Sequence, residues 1–397
     1  MKFIEIVKPD INFDFVGKRH IAYAISIITL LVGLTSLFMK GGPNYGIDFV
    51  GGTVVQVRVD GTIQSAQVQD AARKLGLDDA TVQSLGGEGH EFLIRTSRSH
   101  IGGEQVRSQL IGSLSNIVGQ GKVEVRRIEM VGPKVGSDLR HKALFAILYS
   151  LLFMAIYISG RFELKWIPPV IMAGALVAFS YTLYNMLGME LSYVILASFA
   201  LILALCVALS LRYAIGAIVA LVHDVILVVG VFSLFNLEVN LSMVAALLTI
   251  IGYSVHDTII VFDRIRENLR RLGRADLPTI VNRSINQTLS RTILTSGTVL
   301  LVLVAFLTLG GGIIREFALA MFIGVITGTY SSIYVASPIL LAWPEKGAAR
   351  RRPAAVAAEA GPSLSTPAAG SEAAAGGARK RKKGGVRAKK TEAGGGK

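Results

Sequence analysis

The chain has 397 residues, 52% hydrophobic and 17% charged, with a formal net charge of +14. Soluble domains average about 45–50% apolar and about 25% charged residues. This composition excludes an ordinary soluble globule and a wholly disordered chain, and it fits a membrane protein whose apolar residues fall in runs of about 20. The single cysteine, Cys206, excludes an internal disulfide framework and a cysteine-based metal site.

The first apolar run, 21–39, follows Lys8, Lys18, Arg19 and His20 and ends at Lys40-Gly-Gly-Pro43. It is too long for the core of a secretory signal and has no small-residue cleavage site. It therefore reads as an uncleaved anchor, with residues 1–20 cytoplasmic. The polar stretch 43–142 carries nearly balanced charge. Residues 53–59, T-V-V-Q-V-R-V, predict a strand, and 62–75 a helix with Gly76 just past its end. Short strands follow at 81–85 and 92–96 around Gly86-Gly-Glu-Gly89, then a helix at 104–118 and a closing strand at 122–130. The order βαββαβ predicts a small ferredoxin-like α+β domain, large enough at about 100 residues to bury its own core. One span separates it from the basic N-terminus, so it is expected to be periplasmic.

From residue 143 the chain is almost continuously apolar. Spans are marked at 143–159, 168–187, 190–211, 213–235, 241–262, 291–309 and 317–342, which with the first make about eight transmembrane helices. Alternate connections hold Arg161 and Lys165, then Arg212, then Arg264, Arg266, Arg270, Arg271, Arg274 and Arg283. The opposite connections hold Glu190, Glu238 and Gly310-Gly-Gly312. By the positive-inside rule both termini are cytoplasmic in a multi-pass inner-membrane protein. The predicted fold class is thus a membrane α-helical bundle, 143–343 plus the first span, carrying one periplasmic α+β domain. From Glu345 to Lys397 there are 13 Lys and Arg against 4 Asp and Glu. The tail at 344–397 reads as disordered, basic and cytoplasmic, resting on anionic lipid; contact with ribosomal RNA or a translocation partner is the alternative. The charge does not form the single-face stripe of a nucleic-acid binder, so no specific nucleic-acid partner is expected.

An ionisable side chain at the centre of a transmembrane helix costs about 2.5–3.5 kcal/mol on the insertion scale, which makes such residues functional candidates. His223 and Asp224 lie about ten residues into their span, near the bilayer midplane at 1.5 Å per residue. His256 and Asp257 sit nearer the end of theirs, with Asp257 roughly 7–8 Å from Phe262 at that rise. Arg291 opens the next span, at a depth that lets it face Asp257. A carboxylate beside a guanidinium stays ionised, and binds a proton more readily once the cation is removed or shielded. That pair is a site able to take up and release a proton as helices shift. Each residue also has a structural reading. Asp224 can accept from a neighbouring helix, Asp257 can belong to a static ion pair, Arg291 can be an interfacial anchor, and both histidines can be satisfied core groups. Adjacent helical residues point about 100° apart, so neither His-Asp pair reads as a ready-made dyad. A metal-transport site is disfavoured by the absence of an H-x-x-x-H or D-x-x-x-D pair. No Walker loop, kinase motif, nucleophile elbow or H-E-x-x-H site appears, so no cofactor, metal or covalent catalysis is expected.

Five ordered motifs complete the reading. They are Gly46-Ile-Asp-Phe-Val-Gly-Gly-Thr53; Ala214-Ile-Gly-Ala-Ile-Val-Ala-Leu-Val-His-Asp224; Ala245-Ala-Leu-Leu-Thr-Ile-Ile-Gly-Tyr-Ser254, running on through Asp257 to Asp263-Arg-Ile-Arg-Glu-Asn268; Ser290-Arg-Thr-Ile-Leu-Thr-Ser296; and Gly328-Thr-Tyr-Ser-Ser-Ile333. Together they resemble SecF, the protein-export membrane subunit family of the RND-like superfamily. The resemblance implies a partner of SecD in a SecDF complex, associated with the SecYEG translocon and with a YidC-type insertase. It implies use of the proton-motive force to help a translocating preprotein leave the translocon after the ATPase step. It places Asp257 on the family's proton-pathway aspartate and Arg291 on its partner arginine; Asp224, His223 and His256 stand beside them as proton-pathway candidates because they are ionisable residues within apolar spans. It makes Gly46, Asp48, Gly51 and Gly52 the motif connecting the first span to the periplasmic domain. Asp48 reads either as a turn or capping residue or as a connector that transmits motion. Two departures stand out: 161–211 adds a transmembrane hairpin to the usual six spans, and His256 stands where the family commonly has Asn. Rival readings are one half of an RND-like small-molecule or metal exporter, and a passive translocon scaffold.

Overall fold

The computed structural model describes residues 11–342 except 62, 76, 78, 86–89, 97–102, 120–121, 164–165 and 273–274. The first ten residues, Gly76 and the basic tail lie outside the described residues. In chain order, α1 (Arg19–Met39) leads through one helical turn, α2 (Ile47–Val50), into β1 (Gly52–Val59), α3 (Ser65–Lys74), β2 (Thr81–Leu85), β3 (Glu91–Thr96), α4 (Gly103–Val118) and β4 (Val123–Val131). Then come α5 (Pro133–Ile158), α6 (Ile167–Tyr181), α7 (Leu191–Ala208), α8 (Arg212–Leu234), α9 (Leu241–Arg271), α10 (Leu277–Leu309) and α11 (Gly312–Ser331). Eight of these, α1 and α5 to α11, are long and apolar enough to cross a membrane, α5, α6 and α11 being prolonged to Glu163, Met186 and Ala342.

Several helices outrun their apolar runs. The α5 helix starts at Pro133, ahead of the apolar run at 143, so residues 133–142 continue the bundle and not the polar domain. Proline suits a first turn, because its missing N–H has no intrahelical acceptor there. The α10 helix starts at Leu277 and not at 291, capped by Asp276, whose side chain accepts from the Thr279 N–H at 3.3 Å. That hydrogen bond holds the Asp276 carboxyl below its ordinary range. The α3 helix begins at Ser65, not 62, behind a capping box built by Gln64 and Gln67. Hydropathy marks only the part of a helix that meets lipid; caps decide where the helix ends.

The four strands form one antiparallel sheet in the order β2-β3-β1-β4. Side chains alternate across a strand. One face therefore buries Val55, Val57, Val59, Phe92 and Ile94 against Val68, Ala71 and Ala72 of α3 and Leu110 and Leu114 of α4. The alternate residues Val54, Gln56, Leu93 and Arg95 face the end of the bundle, where with Asp48, Glu238, Asn240 and Glu316 they line a cavity of about 300 Å³.

In the bundle α9 packs against α8, α10 and α11, and α1 crosses α8 where Gly33 meets Gly230. A Cβ on either glycine would lie 2.9 Å from the other's Cα, so only glycine allows this approach. Ser36 and Ser233 share a hydrogen bond beside the crossing at 2.9 Å. The α6–α7 hairpin packs on α5 and α8 and holds itself by a Ser180–Ser198 bond of 2.9 Å. The chain leaves for it and returns at one place: the Tyr213 N–H donates to Glu163 Oε1 at 3.0 Å, and the Phe162 and Tyr213 rings stack at 5.2 Å.

Candidate functional site

Two buried carboxylates mark the interior of the bundle, and their surroundings differ. Asp224, on α8, is fully buried. Its Oδ2 accepts from Ser254 of α9 at 2.7 Å and Ser331 of α11 at 2.8 Å, and its Oδ1 lies 3.0 Å from His223 Nδ1. Three helices thus meet on one acid. The His223–Asp224 bond corrects the expectation that neighbouring residues cannot pair. The imidazole is buried and its ring stacks on Tyr330 at 6.2 Å, which holds Nδ1 within reach of the neighbouring carboxylate. Tyr330 in turn donates to the Ala22 carbonyl at 2.7 Å, tying α1 to α11.

Asp257, on α9, is equally buried but less satisfied. Its Oδ2 accepts from Ser296 of α10 at 3.2 Å. Thr329 of α11 donates to that same Ser296 hydroxyl at 2.7 Å, while Oδ1 has no hydrogen-bond partner among the described residues. Around it the Tyr253 hydroxyl is buried beside Ser296 without a well-formed hydrogen bond, and the Thr292 hydroxyl, one turn from Ser296, is buried without a partner. His256 is largely exposed, with Nδ1 3.8 Å from Asp257 Oδ1. Among the described residues no three His, Cys, Asp or Glu side chains gather as a metal site.

Arg291 stands elsewhere than the spacing predicts. It is about four turns into α10 and exposed, and no ion pair joins it to Asp257 among the described residues. The inward stripe of α10 is Val281, Ile285, Thr288, Thr292 and Ser296, a helical repeat. Arg291 lies about 100° off that stripe, beside Thr292. Its charge acts on Asp257 through space, and Ser296 makes the direct contact.

The connector motif meets the bundle at the first turn of α9. Asp48 Oδ2 accepts from the Leu241 N–H at 2.9 Å, Gly46 N donates to the Val239 carbonyl at 2.8 Å, and Val239 N donates to the Asn44 carbonyl at 2.8 Å. Asn240 caps α9 by accepting from Met243 N at 2.9 Å and donates its side-chain amide to Glu316 of α11. Gly51, at φ +84°, and Gly52, at φ +130°, turn the chain out of α2 into β1. A Cβ on Gly51 would stand 2.7 Å from Pro133 Cα, so α2 and the start of α5 are in backbone contact. Arg95 of β3 pairs with Glu238 of the α8–α9 loop. Burial pulls its guanidinium below the ordinary value, opposed by the charge of Glu316, and it stays protonated at neutral pH.

The residues that sequence reasoning did not single out are Ser254, Ser296, Thr329 and Ser331, together with Arg95, Glu238, Asn240 and Glu316. The four hydroxyls lie inside three of the five motifs, as small polar residues on apolar helices, which is the signal that identifies them. The four charged and amide residues sit among ordinary surface side chains and carry no such mark.

Comparison with known proteins bears on these motifs directly. Residues 36–63 match the family described as the SecD/SecF GG motif, and residues 111–199 and 180–346 match the family described as protein export membrane protein SecD/SecF, C-terminal. The two stretches of the second match overlap at 180–199, within the α6–α7 hairpin. The chain is 41% identical over 354 residues to the protein translocase subunit SecF of Magnetococcus marinus, covering 88% of this chain and 97% of that one. It is 38% identical over 338 residues to the SecF of Vibrio alginolyticus, covering 85% and 91%. The crystal structure of SecDF from Thermus thermophilus, described as a translocon-associated membrane protein, superposes with a TM-score of 0.63 at 32% identity. That match covers 85% of this chain and 39% of the longer one. On identity, coverage and shared motifs, the chain belongs to the SecF family of protein translocase subunits.

Proposed function

We propose that this chain is the SecF-type half of a proton-driven export motor, which with a SecD-type partner draws on the proton-motive force to help preproteins leave a SecYEG-type translocon. It performs no covalent catalysis. The observation that carries this reading is the layer around Asp257: a buried carboxylate with one oxygen unpaired, beside the buried Tyr253 and Thr292 hydroxyls. Buried polar groups are normally paired, so such a layer suits a site that binds and releases a proton. Both Asp224 oxygens are paired, with Ser254, Ser331 and His223, which suits a structural anchor between helices; the His223 Nε2 beside it is buried without a hydrogen-bond partner among the described residues. Protonation of Asp257 removes the acceptor charge that draws Ser296, and through it Thr329, toward α9. The packing of α9, α10 and α11 then follows the charge state. His256 lies close enough to tune that step, and Arg291 holds the surrounding potential positive. The superposition on part of the longer SecDF chain supports a SecD-type partner. The alternation of basic connections supports cytoplasmic termini and a periplasmic α+β domain. The βαββαβ order and the sheet order support a ferredoxin-like assignment for that domain.

The test uses the chain reconstituted with its SecD-type partner and a translocon. One proton crossing 100 mV supplies about 2.3 kcal/mol, so Asp257→Asn is expected to cut proton-motive-force-stimulated export by about tenfold or more. The variant should still co-purify with its partner. Undiminished stimulation would return the chain to the scaffold reading. In the same assay His256→Asn is expected to change the profile of stimulated export against the imposed proton gradient. Superimposable profiles would remove His256 from the path.

A further inference from the structure

We infer that Arg95 is the positioning residue that couples the orientation of the α+β domain to the two helices bearing the Asp257 site. This rests on the motor reading above and names a mechanical contact within it. The alternation of β3 that buries Phe92 and Ile94 turns Leu93 and Arg95 out toward the bundle. There the Arg95 guanidinium pairs with Glu238, both side chains being mostly buried at 21% and 17% exposure. Glu316, in the second turn of α11, lines the same cavity as the guanidinium and acts on its charge. Asn240 bridges the two acidic elements, capping α9 and donating to Glu316. One arginine of the domain therefore stands between the loop that leads into α9 and the N-terminal end of α11.

Those helices carry the buried site. Asp257 lies about 24 Å along α9 from Leu241, and Thr329 about 20 Å along α11 from Glu316, at 1.5 Å per residue. A helix transmits a shift along its axis, because its backbone hydrogen bonds resist compression. A displacement of α9 against α11 at the Asp257–Ser296–Thr329 contact therefore reappears as a change in the spacing of Glu238 and Glu316. Arg95 is the domain side chain set between those two carboxylates. The connector motif holds the same turn through Asp48, but it runs from α1 to β1 and is packed by its own backbone on the start of α5. Arg95 belongs to the sheet and moves with the domain. Its Nε is buried without a hydrogen bond, which leaves the guanidinium free to trade one carboxylate for the other without breaking a third contact.

The test uses the full chain with Cys206→Ala, reconstituted in liposomes with its SecD-type partner. Spin labels on cysteines at the exposed positions Gln83 and Phe235 report the distance between domain and bundle. The parent should give a single narrow distribution. Arg95→Gln, which removes the charge, and Arg95→Glu, which reverses it, should lengthen and broaden it. The exchange Arg95→Glu with Glu238→Arg should restore it. Export should follow: Arg95→Glu is expected to lose about tenfold in stimulated rate and the exchange to recover most of it, as for an interfacial charge pair. Unchanged distances in Arg95→Gln would overturn the inference. So would altered distances with undiminished export, since Arg95 would then dock the domain without coupling it. Asp257→Asn is run in parallel: if it alone leaves export intact, the motor reading fails, and the Arg95 distances still decide whether the latch exists.

Discussion

The two buried aspartates illustrate how surroundings assign different work to one side chain. Asp224 has an acceptor bond to each of two neighbouring helices and a third contact with its own histidine. Asp257 has one hydroxyl donor and one unpaired oxygen. Leaving a buried hydroxyl or imidazole unpaired costs about 1–3 kcal/mol per group. Asp224→Leu strands the Ser254 hydroxyl and the His223 ring and leaves Ser331 only its bond to the Gly328 carbonyl at 3.2 Å, so its melting temperature in detergent should fall well below that of the parent. Asp257→Asn, which keeps an acceptor oxygen for Ser296, should melt close to the parent. Equal melting of parent and Asp224→Leu would show that Asp224 is not an anchor. Residue type and spacing marked both aspartates as candidates. The difference between them comes from Ser254, Ser296, Thr329 and Ser331, and a hydroxyl on an apolar helix does not reveal which carboxylate it faces until three helices are packed.

At the scale of elements, the connector shows how backbone geometry fastens a soluble domain to a membrane bundle. The α2 turn sits on the start of α5, with Gly51 in the left-handed region against Pro133. Gly51→Ala meets both obstacles at once, a disfavoured φ and a Cβ 2.7 Å from backbone. It should destabilise the docked domain by about 1–3 kcal/mol, as overpacking does. Gly112→Ala, inside α4 with open space around it, should be neutral or gain up to about 1 kcal/mol from helix propensity. Chemical denaturation of the two variants beside the parent decides whether packing or mere glycine content matters at the motif. The strand alternation of β1 and β3 was legible from the sequence, and with it the existence of the sheet. Which face would look at the bundle was not, because Val54 and Val55, or Leu93 and Ile94, are equally apolar. The ends of α5, α9 and α10 escaped hydropathy for a related reason: the polar turns that cap them lie beyond the lipid-facing run.

For the molecule as a whole, the α6–α7 hairpin leaves and rejoins the chain at one place and lies along one side of the bundle, where Met172, Leu176, Ile202 and Cys206 join the main apolar cluster and Tyr184 bonds His141 of α5 at 3.1 Å. Glu163 and Tyr213 are hydrogen-bonded across its base, and α6 and α7 pack mainly on α5 and α8, away from the Asp257 layer. Excising residues 167–208 and closing the gap with a short linker should leave a chain that still binds its partner and still exports. Loss of partner binding on excision would show that the hairpin is part of the working core. Composition, the spacing of apolar runs and the alternation of basic loops determined by themselves that this chain crosses the membrane about eight times and carries one polar α+β module, since the cost of placing charge and unpaired backbone in lipid leaves few other arrangements. The five motifs were sufficient to place it in its family. Only the packed structure decided that Ser296, not Arg291, touches Asp257, that His223 bonds its neighbour, and that Arg95 stands between the loop before α9 and the N-terminal end of α11. Contacts between side chains on different helices depend on rotation and depth to within about an ångström, and no local pattern in one segment encodes the angle at which another will meet it.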